Sequence, residues 1–291
     1  MLRIPLPAHL VAVAREYADG RRTPAEPRNA ATVMLLRPGG SGPEVYLLRR
    51  HTAMAFAGGM CVFPGGGVDE RDFDTAVGWA GPPPSEWADR LGVDEATARA
   101  LVCAAVRETF EESGVLLAGA DAGSVVADTT GADLEAERLA LETRELSLTA
   151  FLTRRGLVVR SDLLGAWAGW LTPVFEPRRY RTWFFVAELP PGQRTRDVST
   201  ESDEVTWVGA SEAVAAVDAG TMLMLPPTYL TCLEIGQYAD PAAALAGAEG
   251  RRVEMFTPEV VDADGQAQLS VPPWSTPLIA AHSVELGARR S

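Results

Sequence analysis

Eight consecutive residues carry most of the chemistry this chain could perform: Arg107-Glu108-Thr109-Phe110-Glu111-Glu112-Ser113-Gly114. The apolar run Leu101 to Val106 predicts a helix that continues through them until Gly114 stops it. At about 100° per residue, Glu108, Glu111 and Glu112 share one arc with Arg107 beside them, while Val102, Val106 and Phe110 fall opposite. Glu108 and Glu112, four apart, stack like charges at a cost of a few tenths of a kcal/mol unless something relieves it. A hard cation that takes oxygen ligands, Mg²⁺ or Mn²⁺, would do so. The plainer alternative is a solvated acidic helix face with Arg107 and Glu111 as an ordinary i,i+4 pair.

Upstream, Cys61-Val62-Phe63 reads as a short strand, and Pro64-Gly65-Gly66-Gly67 as a turn whose backbone could approach a ligand closely. Gly66, five residues, Asp72 and then Arg107-Glu108-Thr109-Phe110-Glu111-Glu112-Ser113-Gly114-Val115 together resemble the Nudix signature, G-x5-E-x7-R-E-U-x-E-E-x-G-U with U aliphatic. Asp72 stands where that pattern has Glu, Thr109 stands at an aliphatic place, and 34 residues (73–106) replace the usual seven. A spacer of this length is similar to one Nudix branch that includes peroxisomal coenzyme A diphosphatases. The resemblance implies an α/β fold, a Nudix-like α/β/α sandwich with a mixed sheet, here with a helical insertion. It also implies divalent-metal-dependent hydrolysis of a nucleoside diphosphate linked to another group, coenzyme A or an acyl derivative being the branch's substrate. ADP-ribose, NADH-type dinucleotides, or a non-catalytic nucleotide-binding regulator stay open as alternatives. By the same resemblance Glu108, Glu111 and Glu112, with the Gly65 carbonyl, would hold Mg²⁺ or Mn²⁺, and Arg107 would orient the glutamates. Glu111 could serve as the base instead, and Glu201 or Glu204, just before Trp207-Val208, could supply a further carboxylate.

Those residues need positioning by the rest of the chain. A short helix is expected over residues 6–18, a polar linker to Asn29, then a hairpin of strands Thr32–Leu36 and Glu44–Arg50. Alternation of Val45 and Leu47 against Tyr46 and Leu48 suggests that the second strand is covered on both faces. Arg49 and Arg50 close it and are candidates for phosphate contact. The spacer's segment 73–93 reads as turn chemistry with two tryptophans, Trp79 and Trp87, which could stack on an adenine but are expected rather to pin the insertion to the body. It returns to a helix start at Asp94, a good N-cap. A second insertion, 120–168, should hold helices over Ala132–Leu146 and Leu148–Arg154. Strand character resumes at Trp170, where Trp-Leu-Thr-Pro and then Arg178-Arg179-Tyr180-Arg181 resemble the same branch. Arg178, Arg179 and Arg181 are candidate diphosphate forks, but alternation splits them between two faces, so one is expected to be structural. Residues 1–29 thus form a leading helix and linker, 30–240 the main domain, and 241–291 an extension packed on the core or on a partner subunit, a homodimer being one arrangement. Within it, Asp264-Gly265 predicts a hairpin turn.

The composition narrows the alternatives. With 47% hydrophobic and 22% charged residues the chain is an ordinary globular one. All 26 basic residues are arginine, so a P-loop with its lysine is impossible. A net charge of −13 opposes nucleic acid or an anionic membrane as partner, and leaves a small anionic substrate met by cations and a few arginines. Cys61, Cys103 and Cys232 read as core thiols of a reducing compartment. No signal-like segment or long apolar run appears, which favours the cytoplasm. There is no G-x-S-x-G to support a serine hydrolase.

Overall fold

A computed structural model describes residues 6–53, 57–200, 202–263 and 265–290. The chain divides into two compact units, the larger built from 29–169 and 182–254, the smaller from residues before 29, 170–181 and those from 255 onward.

The smaller unit begins with helix α1 (Ala8–Ala18). The larger begins on strands β1 (Arg28–Pro38) and β2 (Pro43–Arg50), an antiparallel hairpin in which Leu36 faces Val45 and Arg37 faces Glu44. Both faces of β2 are covered as the alternation suggested, since Val45, Tyr46, Leu47 and Leu48 are all buried. Strand β3 (Cys61–Val62) pairs with β2. The glycines expected to form a turn instead make a strand, β4 (Gly65–Gly67), antiparallel to β1 with Thr32 opposite Gly65. The reason is steric: a Cβ on Gly65 would stand 2.5 Å from the Ala31 carbonyl oxygen, so only glycine can lie this close to β1.

After a 3-10 turn over Glu70–Phe73 and strand β5 (Trp79–Ala80), the spacer forms a helix where only turns were expected, α2 (Pro84–Leu91). Proline is tolerated at the first helical position, and Trp87 and Leu91, four apart, are both buried. Trp87 packs on Phe185 at 5.8 Å between ring centroids, so it pins the insertion to the body. Asp94 caps α3 (Glu95–Ser113) through the Thr97 amide at 2.9 Å, and Gly114 ends it in the left-handed conformation. From Leu101 to Arg107 every residue of α3 is buried, and Phe110 stacks on Phe151 at 5.5 Å.

Strand β6 (Ala118–Gly119) follows, then helices α4 (Ala132–Glu142) and α5 (Leu148–Arg155) close to the expected bounds, then β7 (Val158–Arg160). Strand β8 (Gly165–Leu171) starts inside the stretch assigned to the second insertion, because Ala166 to Ala168 are small or flat residues buried in the sheet. With β9 (Tyr180–Glu188) and β10 (Ser202–Gly209) the sheet order becomes β10-β2-β1-β9-β8. Helices α6 (Ala210–Asp218), α7 (Pro226–Ile235) and α8 (Pro241–Ala248) complete the larger unit.

The smaller unit adds β11 (Met255–Phe256), the hairpin of β12 (Val260–Ala263) and β13 (Gln266–Leu269), and α9 (Thr276–Arg290). Asp264 of the expected hairpin turn lies outside the described residues. Cys61, Cys103 and Cys232 are buried free thiols. No helix among the described residues is long and apolar enough to cross a membrane.

Candidate active site

The acidic turn of α3 lies against the glycine strand. The Gly65 amide donates to Glu112 Oε2 at 2.7 Å, and a Cβ on Gly66 would stand 2.5 Å from both carboxylate oxygens of Glu108. Gly66 is therefore a glycine because a carboxylate occupies the volume of its side chain. The solvated-face alternative does not describe this turn, since Glu111 is only 7% exposed.

Arg107 organises the carboxylates. Its Nε and Nη2 donate to the two oxygens of Asp72 at 3.1 and 2.9 Å, a fork of the kind that fixes a guanidinium plane. Nη2 also reaches the Gly67 carbonyl at 2.9 Å, and Nη1 donates to Glu108 Oε1 at 2.7 Å and Glu111 Oε2 at 3.2 Å. Burial draws the proton affinity of this guanidinium down, but Glu108, Asp72 and Glu111 outweigh it and the net direction is up. Asp72 also accepts from the Asp69 amide at 2.8 Å and closes the 3-10 turn that carries it. The two stretches separated by the long spacer are thereby joined through one buried ion pair.

Glu111 feels the opposite balance. Burial raises its carboxyl to about 8, against the pull of Arg107, and Glu108 adds to the rise. Its Oε1 is buried and has no hydrogen-bond partner among the described residues. Among those residues no three His, Cys, Asp or Glu side chains already converge as metal ligands would, because the glutamates are turned onto Arg107 and the Gly65 amide. The donor set nevertheless suits a hard cation: three carboxylates on one helical turn, one oxygen buried without a partner, and a glycine backbone within hydrogen-bond reach.

The other residues singled out in the sequence fall in several places. Arg49 pairs across the strands with Glu204 at 3.0 Å, both about half-exposed, and the two are register partners on β2 and β10. Arg50 sits one residue further on, its amide bonded to the Met60 carbonyl at 3.0 Å. Glu201 lies outside the described residues. In the smaller unit, Arg178 is exposed and Arg181 approaches Glu26 at 3.5 Å. Arg179 is the structural arginine of the three: it is buried and donates to the carbonyls of Thr172 and Ala25 at 3.0 and 3.1 Å. Its guanidinium is thus spent on backbone rather than offered as a diphosphate fork.

Two features of the site were not read from the sequence. Asp72, noted only as a departure from a pattern, is the partner of Arg107. Tyr46 donates to the Arg196 carbonyl at 3.0 Å, and burial, then Asp197 and Glu112, hold its phenol well above the usual range.

A glycine strand, a buried arginine and a glutamate-rich helical turn in this arrangement define a Nudix-type site. A family model described as the NUDT19 Nudix domain matches residues 86–234, about half of the chain, and the chain belongs to the Nudix hydrolase family. It is 28% identical over 251 residues to a chicken (Gallus gallus) protein named acyl-coenzyme A diphosphatase NUDT19, with 69% of this chain and 66% of that one covered. A Caenorhabditis elegans putative nudix hydrolase 7 is 26% identical over 215 residues, covering 73% of this chain and 62% of the relative. The chain thus spans somewhat under two thirds of the length of these curated relatives. The crystal structure of a NUDIX hydrolase from Alicyclobacillus acidocaldarius superposes with a TM-score of 0.64 at 25% identity, over 76% of this chain and 96% of that one. The mixed α/β fold is therefore that of Nudix hydrolases.

Proposed function

We propose that the chain hydrolyses the phosphoanhydride of a nucleoside diphosphate linked to another group, with coenzyme A or an acyl-coenzyme A as substrate. The observation that carries this reading is the junction of Glu108 and Glu112 with Gly65 and Gly66, set by the Arg107–Asp72 fork. The coenzyme A assignment rests on the long-spacer signature and on the name of the chicken relative. Glu108, Glu111 and Glu112, with the Gly65 carbonyl, would hold Mg²⁺ or Mn²⁺. When bound, such ions would acidify a water and neutralise the diphosphate.

The chain's own residues perform the remaining work. Arg107 stays on the protein side and holds the Glu108 and Glu111 carboxylates in place, while the Gly65 amide holds Glu112. Water forms a bond to one phosphorus while the bridging P–O bond breaks, and the bridging oxygen leaves with the second phosphate. Coenzyme A cut in this way gives 3′,5′-ADP and a phosphopantetheine. Glu111, Glu204 or Glu201 is the candidate to receive the water's proton. Glu111 is buried among the acidic turn, whereas Glu204 is paired with Arg49 at a strand edge. Arg49 and Arg50, in the same unit as the acidic turn, are the arginines proposed to meet substrate phosphates; Arg178 and Arg181 belong to the smaller unit.

The test is a panel of coenzyme A, acyl-coenzyme A, ADP-ribose and NADH with Mg²⁺ or Mn²⁺, following phosphate-containing products. Turnover should vanish in Glu112→Gln and in Gly66→Ala, whose added methyl collides with the Glu108 carboxylate. It should persist in Glu95→Gln, an exposed acid at the other end of α3. Absence of turnover on every member of the panel would refute the proposal.

A further inference from the structure

We infer that the insertion helix α4 is a positioning element for the acidic turn, acting through Arg138; this rests on the proposed function above. The last carbonyls of any helix lack intrahelical partners, and the last turn of α3 holds no basic residue of its own. That end carries three carboxylates as well as the negative end of the helix dipole, so it needs cations from elsewhere. Two arginines distant in sequence supply them. Arg138, with a side chain only 4% exposed, donates through Nη1 to the Glu111 carbonyl oxygen at 2.6 Å. The Arg196 amide donates to the Ser113 carbonyl at 2.9 Å, and its guanidinium lies over Gly114, where a Cβ would meet Nε at 2.8 Å.

Glu135 joins the two arginines. Its Oε1 accepts from Arg138 at 2.9 and 3.0 Å, and its Oε2 accepts from Arg196 Nη1 at 2.5 Å. Glu142 extends the chain of contacts. It accepts from Arg138 at 2.8 Å through one oxygen and from the Thr200 hydroxyl at 2.6 Å through the other. One helix of the insertion therefore grips the backbone of Glu111 and also the segment that leads into β10 and Glu204. Arg138 touches neither a proposed ligand carboxylate nor the substrate space; its effect passes through the main chain of α3.

A purely stabilising role and a positioning role are separated by the following measurement on the full chain. Mn²⁺ binding is titrated by electron paramagnetic resonance, and kcat and KM are measured on the best substrate of the panel. Arg138→Gln is expected to weaken Mn²⁺ binding and lower kcat by about tenfold each, as loss of an outer support of a metal site does, with KM nearly unchanged. Arg138→Lys, whose ammonium can still reach the Glu111 carbonyl, should recover part of both losses. Arg155→Gln is the control: Arg155 ties α5 to α4 through Glu137 and Asp133 at 2.6 and 2.8 Å, and should leave Mn²⁺ affinity and kcat alone. Should Arg138→Gln fail to fold, Glu135→Gln, which cuts the link between the arginines, should show the same changes in smaller measure. The inference is overturned if the folded variants keep wild-type Mn²⁺ affinity and kcat, or if Arg155→Gln loses as much as Arg138→Gln. A wild-type chain that binds no Mn²⁺ refutes the proposed function itself, whereas binding that the variants leave intact refutes only the role of α4.

Discussion

Replacing Arg107 by methionine keeps a long, flexible side chain and deletes the charge that Asp72, Glu108 and Glu111 share. In the native chain this guanidinium is 9% exposed and donates to three carboxylates and one carbonyl at 2.7–3.2 Å. Asp72 and Glu111, 3% and 7% exposed, would be left buried without their counter-ion. Removing one partner of such a buried pair costs about 3–5 kcal/mol. With a urea slope near the upper end of the usual range, roughly 2–3 kcal/mol/M, the unfolding midpoint should fall by about 1–2.5 M. The loss should be largest at pH 8 and smaller near pH 5, where a stranded carboxyl can take up a proton. Adding Asp72→Asn should return part of it, because the amide no longer brings an unpaired charge into the core. Urea unfolding of the single and double variants by tryptophan fluorescence, at both pH values, makes the comparison. A loss below 1 kcal/mol at pH 8 in Arg107→Met would refute the view that one ion pair ties the two stretches of the site together.

Glu111 makes a second prediction. Its carboxyl rises to about 8 in the folded chain from an ordinary 4.5, so the folded state holds a proton that the unfolded state has released. In chelator, stability should therefore fall by a few kcal/mol as pH climbs from about 5 to 8. Glu111→Gln should flatten that slope and Mn²⁺ should restore the lost stability to the wild type, both read from urea midpoints across the range. Trp87→Ala should cost about 3–5 kcal/mol, since the indole is fully buried against Phe185. Hydrogen exchange should then show α2 opening more readily than α6.

Periodicity and caps were enough for α3, because Asp94 and Gly114 mark its ends, the first through its side-chain carboxylate and the second through its left-handed backbone. Hairpin β1–β2 was equally plain, its Gly-rich turn lying between two apolar runs. The spacer was harder. Three successive prolines read as turn, yet the last of them starts α2, and burial of Trp87 and Leu91 comes from a packing partner that no local pattern names. The acidic arc was visible on a helical wheel, but not that Glu111 would be buried within it. Among Arg178, Arg179 and Arg181 alternation could say only that not all serve one target; which one binds carbonyls depends on Thr172 and Ala25. Arg138 illustrates the limit most clearly. Its i−3 and i+4 partners Glu135 and Glu142 are legible as spacing, whereas its bond to the Glu111 carbonyl is a long-range contact.

The Arg107–Asp72 fork closes a loop of 35 residues. Bringing its ends together costs chain entropy that local helix formation does not repay, so the meeting of the glycine strand and the acidic turn must await docking of the segment between. An α3 formed before that docking would lack the glycine strand against which Glu108 and Glu112 are held. On the proposed metal role, uptake of Mn²⁺ during refolding should lag behind the appearance of helix.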